Sequence, residues 1–536
     1  MKFFSYLMII ITLLFTACTQ TPNKNNTGSN IIHHAHLTNS WYPQNAQTLK
    51  KQINEFLRTA KKHFSISSKI GHKIKAIISP HAGIFFSGIC AAAAYAPLLE
   101  SGKNKNQSIK KVIILSPSHT KHIEGLALPH YDIYETVLGQ IPVNKNDINS
   151  LLKLEFAAYD EEAHNKEHAI EIELPFLQET IASFEFVPII VGNITSKQIQ
   201  ETKIALRNIL KDDTLLVIST DFMHFGSNFS YKPFQQNIFY NIRNYDSSAI
   251  EAILNKDYNQ FCKTLQKTQN TICGQNPIKI LLSILEENRP QELHGYLTCY
   301  YNSAQLLRFK KNQPENIINL LRSIPDEDCN SCVSYAAIIF SEKNPKALPE
   351  AEKLTQYEKN SLLVLARETL ENSFSPEPIS SELLFPIKTP ALKHPYGAFV
   401  TLNEENGNLR GCIGRITTTQ PLYETVESMS KAAAFQDRRF LPLQKKELDS
   451  IVIDITILTP PHKITSYNDI VLGKHGIILT KNFHSAVFLP QVAPSLGWDL
   501  ETTLQHLSRK AGLESDDWKE NCTFEVFEGY EIKEIK

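Results

Sequence analysis

The sequence predicts an α/β protein of two domains, on three observations. An apolar strand-like segment runs into a short polar turn carrying a histidine three times in the first half. Strand-like and helix-like segments alternate up to about residue 345. A polar, lysine-rich stretch with Pro345 and Pro349, Ser341 to Ala351, then separates that half from a new helical pattern. At 536 residues the chain is too long for one ordinary core.

The three turns are Ser79-Pro80-His81-Ala82-Gly83 after Ala76-Ile77-Ile78, Ser116-Pro117-Ser118-His119 after Val112 to Leu115, and Ser219-Thr220-Asp221-Phe222-Met223-His224 after Leu215 to Ile218. In an open α/β sheet, residues just past the carboxyl ends of parallel strands meet in one crevice. Between the turns, the pattern predicts helices over Ala46–His63, Gly88–Leu99, Glu171–Ser183 and Ser196–Leu210. It predicts strands over Ile74–Ser79, Val112–Ser116, Phe186–Val191 and Leu215–Ser219. That is a parallel or mixed sheet flanked by helices. The second domain opens on a helix over Leu354–Asn372.

The amino terminus reads as a targeting segment. Lys2 precedes an apolar run from Phe3 to Phe15, too short for an ordinary membrane span, ending at Thr16-Ala17-Cys18. This resembles a bacterial lipoprotein signal, with Phe15 where Leu or Val is usual. The resemblance implies cleavage after residue 17, lipid modification of Cys18, a flexible tether over 18–30, and an extracytoplasmic, membrane-anchored protein. Apart from Cys18, eight cysteines remain, and Cys329-Asn330-Ser331-Cys332 has the spacing of a redox pair or half a zinc site. With no second such pair, a structural zinc is not expected. The formal net charge of −1 gives no basic footprint, so no nucleic-acid partner is predicted.

Neutral imidazole is the commonest metal ligand, and two such groups with a carboxylate or thiolate make a reactive site for iron, copper or zinc. His81 and His119 are read as occupying equivalent turns after adjacent strands. Cys273, in Asn270-Thr271-Ile272-Cys273-Gly274, offers a third ligand that favours softer metals. Asp221 and His224 then act as acid–base or supporting groups. Each has a bland alternative: a histidine after a strand often caps or faces solvent, and a single cysteine is often a small core residue. His164 and His168 share a helical face and form a competing pair, or simply a solvated helix start with Glu167 and Glu171.

Pro80-His81-Ala82-Gly83, Ser116-Pro117-Ser118-His119, Glu167-His168-Ala169-Ile170-Glu171, Asp221-Phe222-Met223-His224, Asn270-Thr271-Ile272-Cys273-Gly274 and Val333-Ser334-Tyr335-Ala336-Ala337 resemble, in order, the motifs of the Memo family. The resemblance covers residues 31–341. It implies the fold of class III extradiol dioxygenases, a metal held by His81, His119 and Cys273, Asp221 and His224 lining the pocket, and His168 and Glu171 close by. A thiolate would then replace the carboxylate of the dioxygenase triad. Ile84 stands where that family commonly has an aromatic residue.

In the second half, Leu409-Arg410-Gly411-Cys412-Ile413-Gly414, Asp437-Arg438-Arg439-Phe440-Leu441-Pro442, Lys474-His475-Gly476-Ile477, and Leu489-Pro490-Gln491-Val492-Ala493 with Gly497-Trp498-Asp499 resemble the AMMECR family over residues 352–536. An α+β domain follows from that resemblance. Gly411 and Gly414 are read as admitting close backbone approach by a ligand, Arg410 as an anion binder, and Cys412 as a nucleophile with His475 as base or, equally, a buried cysteine in a tight strand turn. Both families together resemble the AmmeMemoRadiSam system, whose third component is a radical S-adenosylmethionine protein. Export would separate this chain from that iron–sulfur partner. Two functions are compatible with the sequence: a metal-dependent oxidoreductase holding iron or copper, or zinc, and acting on a small molecule, or a non-catalytic module binding a metal, peptide or small ligand.

Overall fold

The computed structural model describes residues 30–64, 73–101, 109–287, 293–312, 317–342, 354–385 and 387–534. The signal segment, Cys18 and residues 343–351 of the linker lie outside the described residues. No helix among those described is long and apolar enough to cross a membrane.

Helix Ala46–His63 forms where the sequence places it. Asn45 caps it by accepting the Thr48 N–H, Leu49, Ile53, Leu57 and Ala60 repeat at helical spacing on the buried side, and Lys61, Lys62 and His63 close it on the negative end of the helix dipole. Helix Ile84–Ser101 is longer than its expected Gly88–Leu99 and carries buried residues all round, from Cys90 through Ala96, as a core helix does. The helix expected over Glu171–Ser183 is instead two pieces, His168–Glu171 and Leu174–Thr180, with a proline opening the second. Pro175 lacks a donor N–H and starts a helix more readily than it continues one.

A nine-stranded mixed sheet organises this half. Its main path runs His224–Gly226, Ser331–Glu342, Ile74–Ser79, Thr214–Ser219, Lys111–Ser116, Glu185–Val191, Leu126–Leu128, Ala157–Tyr159, with Leu293–Asn302 also paired to Ser331–Glu342. The four strands from Ile74–Ser79 to Glu185–Val191 are mutually parallel, and their Val- and Ile-rich sequences are buried as interior parallel strands are. Ser79 lies opposite Ser219, and Leu115 opposite Ile218, so three strands end level. The strands preceding His81 and His119 are not neighbours, as the sequence reading had them. Thr214–Ser219 lies between them, because parallel strands joined by helical crossovers need not follow chain order.

The second half is an antiparallel sheet in the order Leu409–Arg415, Gly397–Glu404, Ile451–Leu458, Thr523–Lys533, His475–Lys481, His484–Phe488, with His462–Ile464 also paired to Thr523–Lys533. Helix Leu422–Phe435 buries Leu422, Val426, Met429 and Ala433 in one core, while Leu504 and Leu507 of helix Leu500–Lys510 serve a second. The first long helix of this half, Gln356–Asn372, opens on a reciprocal Thr355/Glu358 cap and joins both halves. Its Tyr357 and Val364 belong to the first domain's core, Asn360 donates to the His63 carbonyl at 3.0 Å, and Arg322 grips Glu371 through two 2.6 Å contacts.

Glu171, at 0% exposure, fastens the amino-terminal segment to the first domain. Its carboxylate accepts the His36 and Leu37 backbone N–H groups at 3.0 and 2.9 Å, the Tyr42 and Tyr134 hydroxyls, and His36 Nδ1 at 2.8 Å. Burial alone would raise its pKa, but the His36 and Tyr42 hydrogen bonds and the two backbone donors overcome that and hold it at about 2, against 4.5 unperturbed. A depressed folded-state pKa contributes stability that is present above pH 4.5 and is lost as pH falls through about 2. Urea unfolding followed from pH 5 down to pH 2 is expected to lose about 3 kcal/mol through this group. Glu171→Gln should flatten that dependence while lowering stability at neutral pH; an unchanged profile would refute the assignment.

Candidate metal centre

The level ends of the three parallel strands bring the histidine turns together. His81, 1% exposed, follows Ile74–Ser79. Its Nδ1 lies 2.8 Å from Ser219 Oγ, and that hydroxyl donates at 2.6 Å to the Ala169 carbonyl. Ser219 therefore accepts from Nδ1–H, and Nε2 is left as the bare nitrogen, 3.2 Å from Cys273 Sγ. Burial, followed by the nearby His119, His168 and His224, pushes the His81 pKa well below its usual value, so this ring is a neutral donor.

His119 has a different partner. Its Nδ1 is 2.8 Å from Glu167 Oε1, and its backbone N–H donates to Glu167 Oε2 at 2.7 Å. Burial pulls the His119 pKa down, but Cys273 and Glu167 more than reverse this and raise it to about 10. Burial alone would raise the Glu167 pKa; His119 keeps it low. The carboxylate thus fixes the ring with Nδ1–H outward and Nε2 toward the centre, the arrangement by which carboxylates orient metal-binding imidazoles. Glu167 also caps the short helix His168–Glu171 through the Ala169 N–H.

Cys273 sits just ahead of helix Gln275–Glu287. The Asp221 N–H donates to its sulfur at 3.2 Å, and the Gly274 N–H donates to Thr220 Oγ1 at 2.9 Å. A Cβ on Gly274 would stand 2.4 Å from Thr220 Cβ, so only glycine lets this turn close against the strand end. One ligand atom each from His81, His119 and Cys273 lies within 4.8 Å of the others. Two imidazole nitrogens with fixed tautomers and one sulfur suit a transition metal, and this donor set leaves coordination positions open.

Asp221, 4% exposed, accepts the His81 backbone N–H at 2.9 Å, and burial chiefly pushes its pKa up to about 7. His224 rests with Nδ1 3.1 Å from the Thr271 carbonyl and its N–H on Thr271 Oγ1 at 2.8 Å; burial lowers its pKa, leaving it neutral. His168 lies between Trp41, at 4.5 Å, and His119, at 4.3 Å between ring centroids, tilted against both. With His119 and Glu167 it forms a second, overlapping group of possible ligands. Glu171 is adjacent in sequence, yet its carboxylate is spent on the amino-terminal segment. His164 belongs to a separate helix, Glu161–Asn165, and its Nε2 meets the Ala127 carbonyl at 3.1 Å, so the competing His164/His168 pair does not form. Sequence reasoning missed Glu167 and Ser219 as partners of the rings. The signal for Ser219 was present: each of the three strands ends in a buried serine, Ser79, Ser116 and Ser219.

The motif in the second domain is built differently from its sequence reading. Arg410 places Nε and Nη2 on Glu447 at 2.8 and 3.3 Å and donates to the Leu441 carbonyl, an internal clamp rather than an open anion site. Cβ atoms on Gly411 and Gly414 would lie 2.3 Å from the Ala433 carbonyl oxygen and 2.2 Å from the Phe399 ring; the close approach these glycines permit is made by the protein itself. Cys412 accepts from Thr401 Oγ1 at 3.2 Å, and its N–H donates to Asp437. His475 is not its base. Its strand lies four places from that of Cys412, roughly 19 Å at the usual spacing of neighbouring strands, and its Nδ1 accepts the Val471 N–H.

Comparison with known proteins agrees with this division of the chain. The model for Memo-like proteins matches residues 33–312, and that for AMMECR1 matches residues 363–532. A memo-1 homolog from Caenorhabditis elegans is 33% identical over 280 residues, spanning 50% of this chain and 76% of the relative. A Methanosarcina barkeri protein, Mbar_A1807, is 38% identical over 188 residues, spanning 34% of this chain and 92% of the relative. The crystal structure of an uncharacterised Pyrococcus horikoshii protein, PH0010, aligns at 34% identity with a TM-score of 0.29, covering 32% of this chain and 89% of that one.

Proposed function

Since the chain belongs to the Memo-like family and carries an AMMECR1 domain behind it, we propose that the first domain is a metal-binding oxidoreductase module, related in fold to the class III extradiol dioxygenases. The observation that carries this reading is the convergence of His81, His119 and Cys273, with the outer nitrogens of both rings already engaged by Ser219 and Glu167. The sulfur selects iron or copper, with zinc as the further fit, over hard cations such as magnesium and calcium. When bound, such an ion would supply Lewis-acid or redox chemistry to a small organic substrate in the strand-end crevice.

Around it, the chain's own groups divide the work. Asp221 holds the His81 backbone, neutral His224 is the group able to accept a proton, and Trp41 with His168 walls one side. A thiolate in place of a carboxylate ligand is more electron-donating and is itself oxidisable, which argues against unmodified catechol cleavage. That favours, as the second reading, a non-catalytic module in which the same pocket captures a metal, peptide or small ligand. The AMMECR-like domain then offers a second surface, and a radical S-adenosylmethionine protein is a partner only for chain held in the cytoplasm.

Elemental analysis of anaerobically purified protein is expected to find about one iron, copper or zinc per chain in the wild type and none in Cys273→Ala. Glu167→Gln should keep the fold and weaken metal affinity by ~10–100-fold. Equal metal content in wild type and Cys273→Ala would refute the site. Oxygen uptake with catechols separates the two readings, since a metal-loaded chain that consumes none is the non-catalytic module.

The same proposal places the protein outside the cytoplasm on a lipid anchor at Cys18. Cys18→Ser is expected to move the protein from the membrane fraction to the soluble one, with loss of metabolic palmitate labelling; unaltered membrane retention would refute lipidation.

A further inference from the structure

Cys329 and Cys332 lie outside the site described above and are the one cysteine pair in the chain separated by only two residues. Cys329 ends the 3-10 turn Asp326–Cys329, and Cys332 is the second residue of strand Ser331–Glu342. Both residues are buried, at 0% and 2% exposure, and belong to one apolar cluster. Met223, Phe225, Phe239 and Ile242 surround them, and among the described residues no histidine or carboxylate joins them as a metal-ligand group. Two cysteines two residues apart in one buried cluster, without further ligands, are suited to two-electron chemistry rather than to zinc.

We propose that Cys329 and Cys332 are a redox modification site that closes to an internal disulfide with a low-molecular-weight disulfide as oxidant. One cysteine sulfur, as thiolate, attacks the oxidant's S–S bond and expels one thiol. The second sulfur then attacks the protein sulfur of the mixed disulfide and expels the other. Two S–H bonds of the protein and one S–S bond of the oxidant break, one S–S bond forms in the protein, and two electrons and two protons leave as two free thiols. Glu327, Asp328, Asn330 and Ser331 are exposed, so the chain linking the two buried cysteines runs along the surface. Cys332, together with burial and the nearby Asp326 and Asp328 carboxylates, pushes the Cys329 thiol up, which makes exchange slow and its equilibrium the quantity to read.

The position gives the bond a consequence. Cys332 lies opposite Phe225 and Val333 opposite His224, and the Ser334 carbonyl accepts the Phe222 N–H at 2.8 Å. The crosslink would therefore brace the strand on which the Asp221–His224 segment rests. It needs no metal at His81, His119 and Cys273, and its success or failure is separate from theirs.

The full chain, equilibrated anaerobically at increasing ratios of oxidised to reduced glutathione, acid-quenched, denatured and alkylated, is read by mass at the tryptic peptide 323–343, which contains both cysteines and no other. Expected is the loss of both alkyl groups in one step, leaving a peptide two hydrogens lighter than the dithiol, with a midpoint that follows the square of reduced over oxidised glutathione. In Cys332→Ser the lighter species should be absent. Double alkylation persisting in fully oxidised glutathione, or a glutathione adduct on either cysteine in place of the internal bond, would overturn the proposal, and the wild-type titration decides this even where the variant fails to fold.

Discussion

Everything at the candidate centre depends on a register. Ser79 opposite Ser219 and Leu115 opposite Ile218 make three parallel strands end level, and the chain then leaves all three in the same direction. Had the register slipped by one residue, the side chains of a strand would have changed face and the histidine turns would have lost their common crevice. The central position of Thr214–Ser219 adds a second function to that strand. Its last residue, Ser219, reaches sideways to His81, the Thr220 N–H donates to the Ser79 carbonyl at 2.8 Å, and Thr220 Oγ1 accepts from Gly274 beside Cys273. One strand end thus holds two of the three ligands from behind.

Four buried carboxyl groups lie on or beneath this crevice, and their surroundings separate them by role. Glu171 has donors enough to stay ionised at 0% exposure and serves as an anchor. Glu167 is ionised because His119 faces it, so it acts through a ligand. Asp221 and Glu173 receive fewer donors, and burial pushes each up to about 7. Tyr95 donates to Glu173 at 2.7 Å, but the other oxygen of Glu173 has no partner within hydrogen-bond distance. Glutamates 167, 171 and 173 fall in one short segment, and only geometry distinguishes them. The break ahead of Pro175 matters here: it separates the helical turn carrying His168 and Glu171 from the helix packed beneath it.

What could be read in the sequence was whatever depends on periodicity and on local punctuation. Ala46–His63 and Ile74–Ser79 matched residue for residue, since the helix's buried positions recur at helical spacing and the strand is a short, almost wholly buried apolar run, and the three histidine turns announced themselves by repeating. The long-range facts were not legible. Nothing local says that Thr214–Ser219 inserts between two earlier strands, and without that the mediating role of Ser219 is invisible. Similarly, the spacing of His164 and His168 suggested one helical face, but two short helices interrupt it. In the second domain the motif glycines were read as admitting a ligand's close approach, whereas the groups that lie against them, Ala433 and Phe399, could come only from the packing.

The unequal support of the two histidines bears on the chemistry. His81 leans on a hydroxyl and His119 on a carboxylate, so the second ring is the stronger donor and holds its proton more tightly when no cation is present. Cys273 places a sulfur beside both. A cation entering this set must displace the proton from His119, and with a sulfur donor it would meet a ligand field richer in electrons than two histidines and a carboxylate give. Such a field stabilises softer, lower-valent metal ions. A sulfur in the donor set therefore also sets the reactivity of such a centre apart from that of carboxylate-bearing dioxygenases, and a shared fold would not by itself restore it.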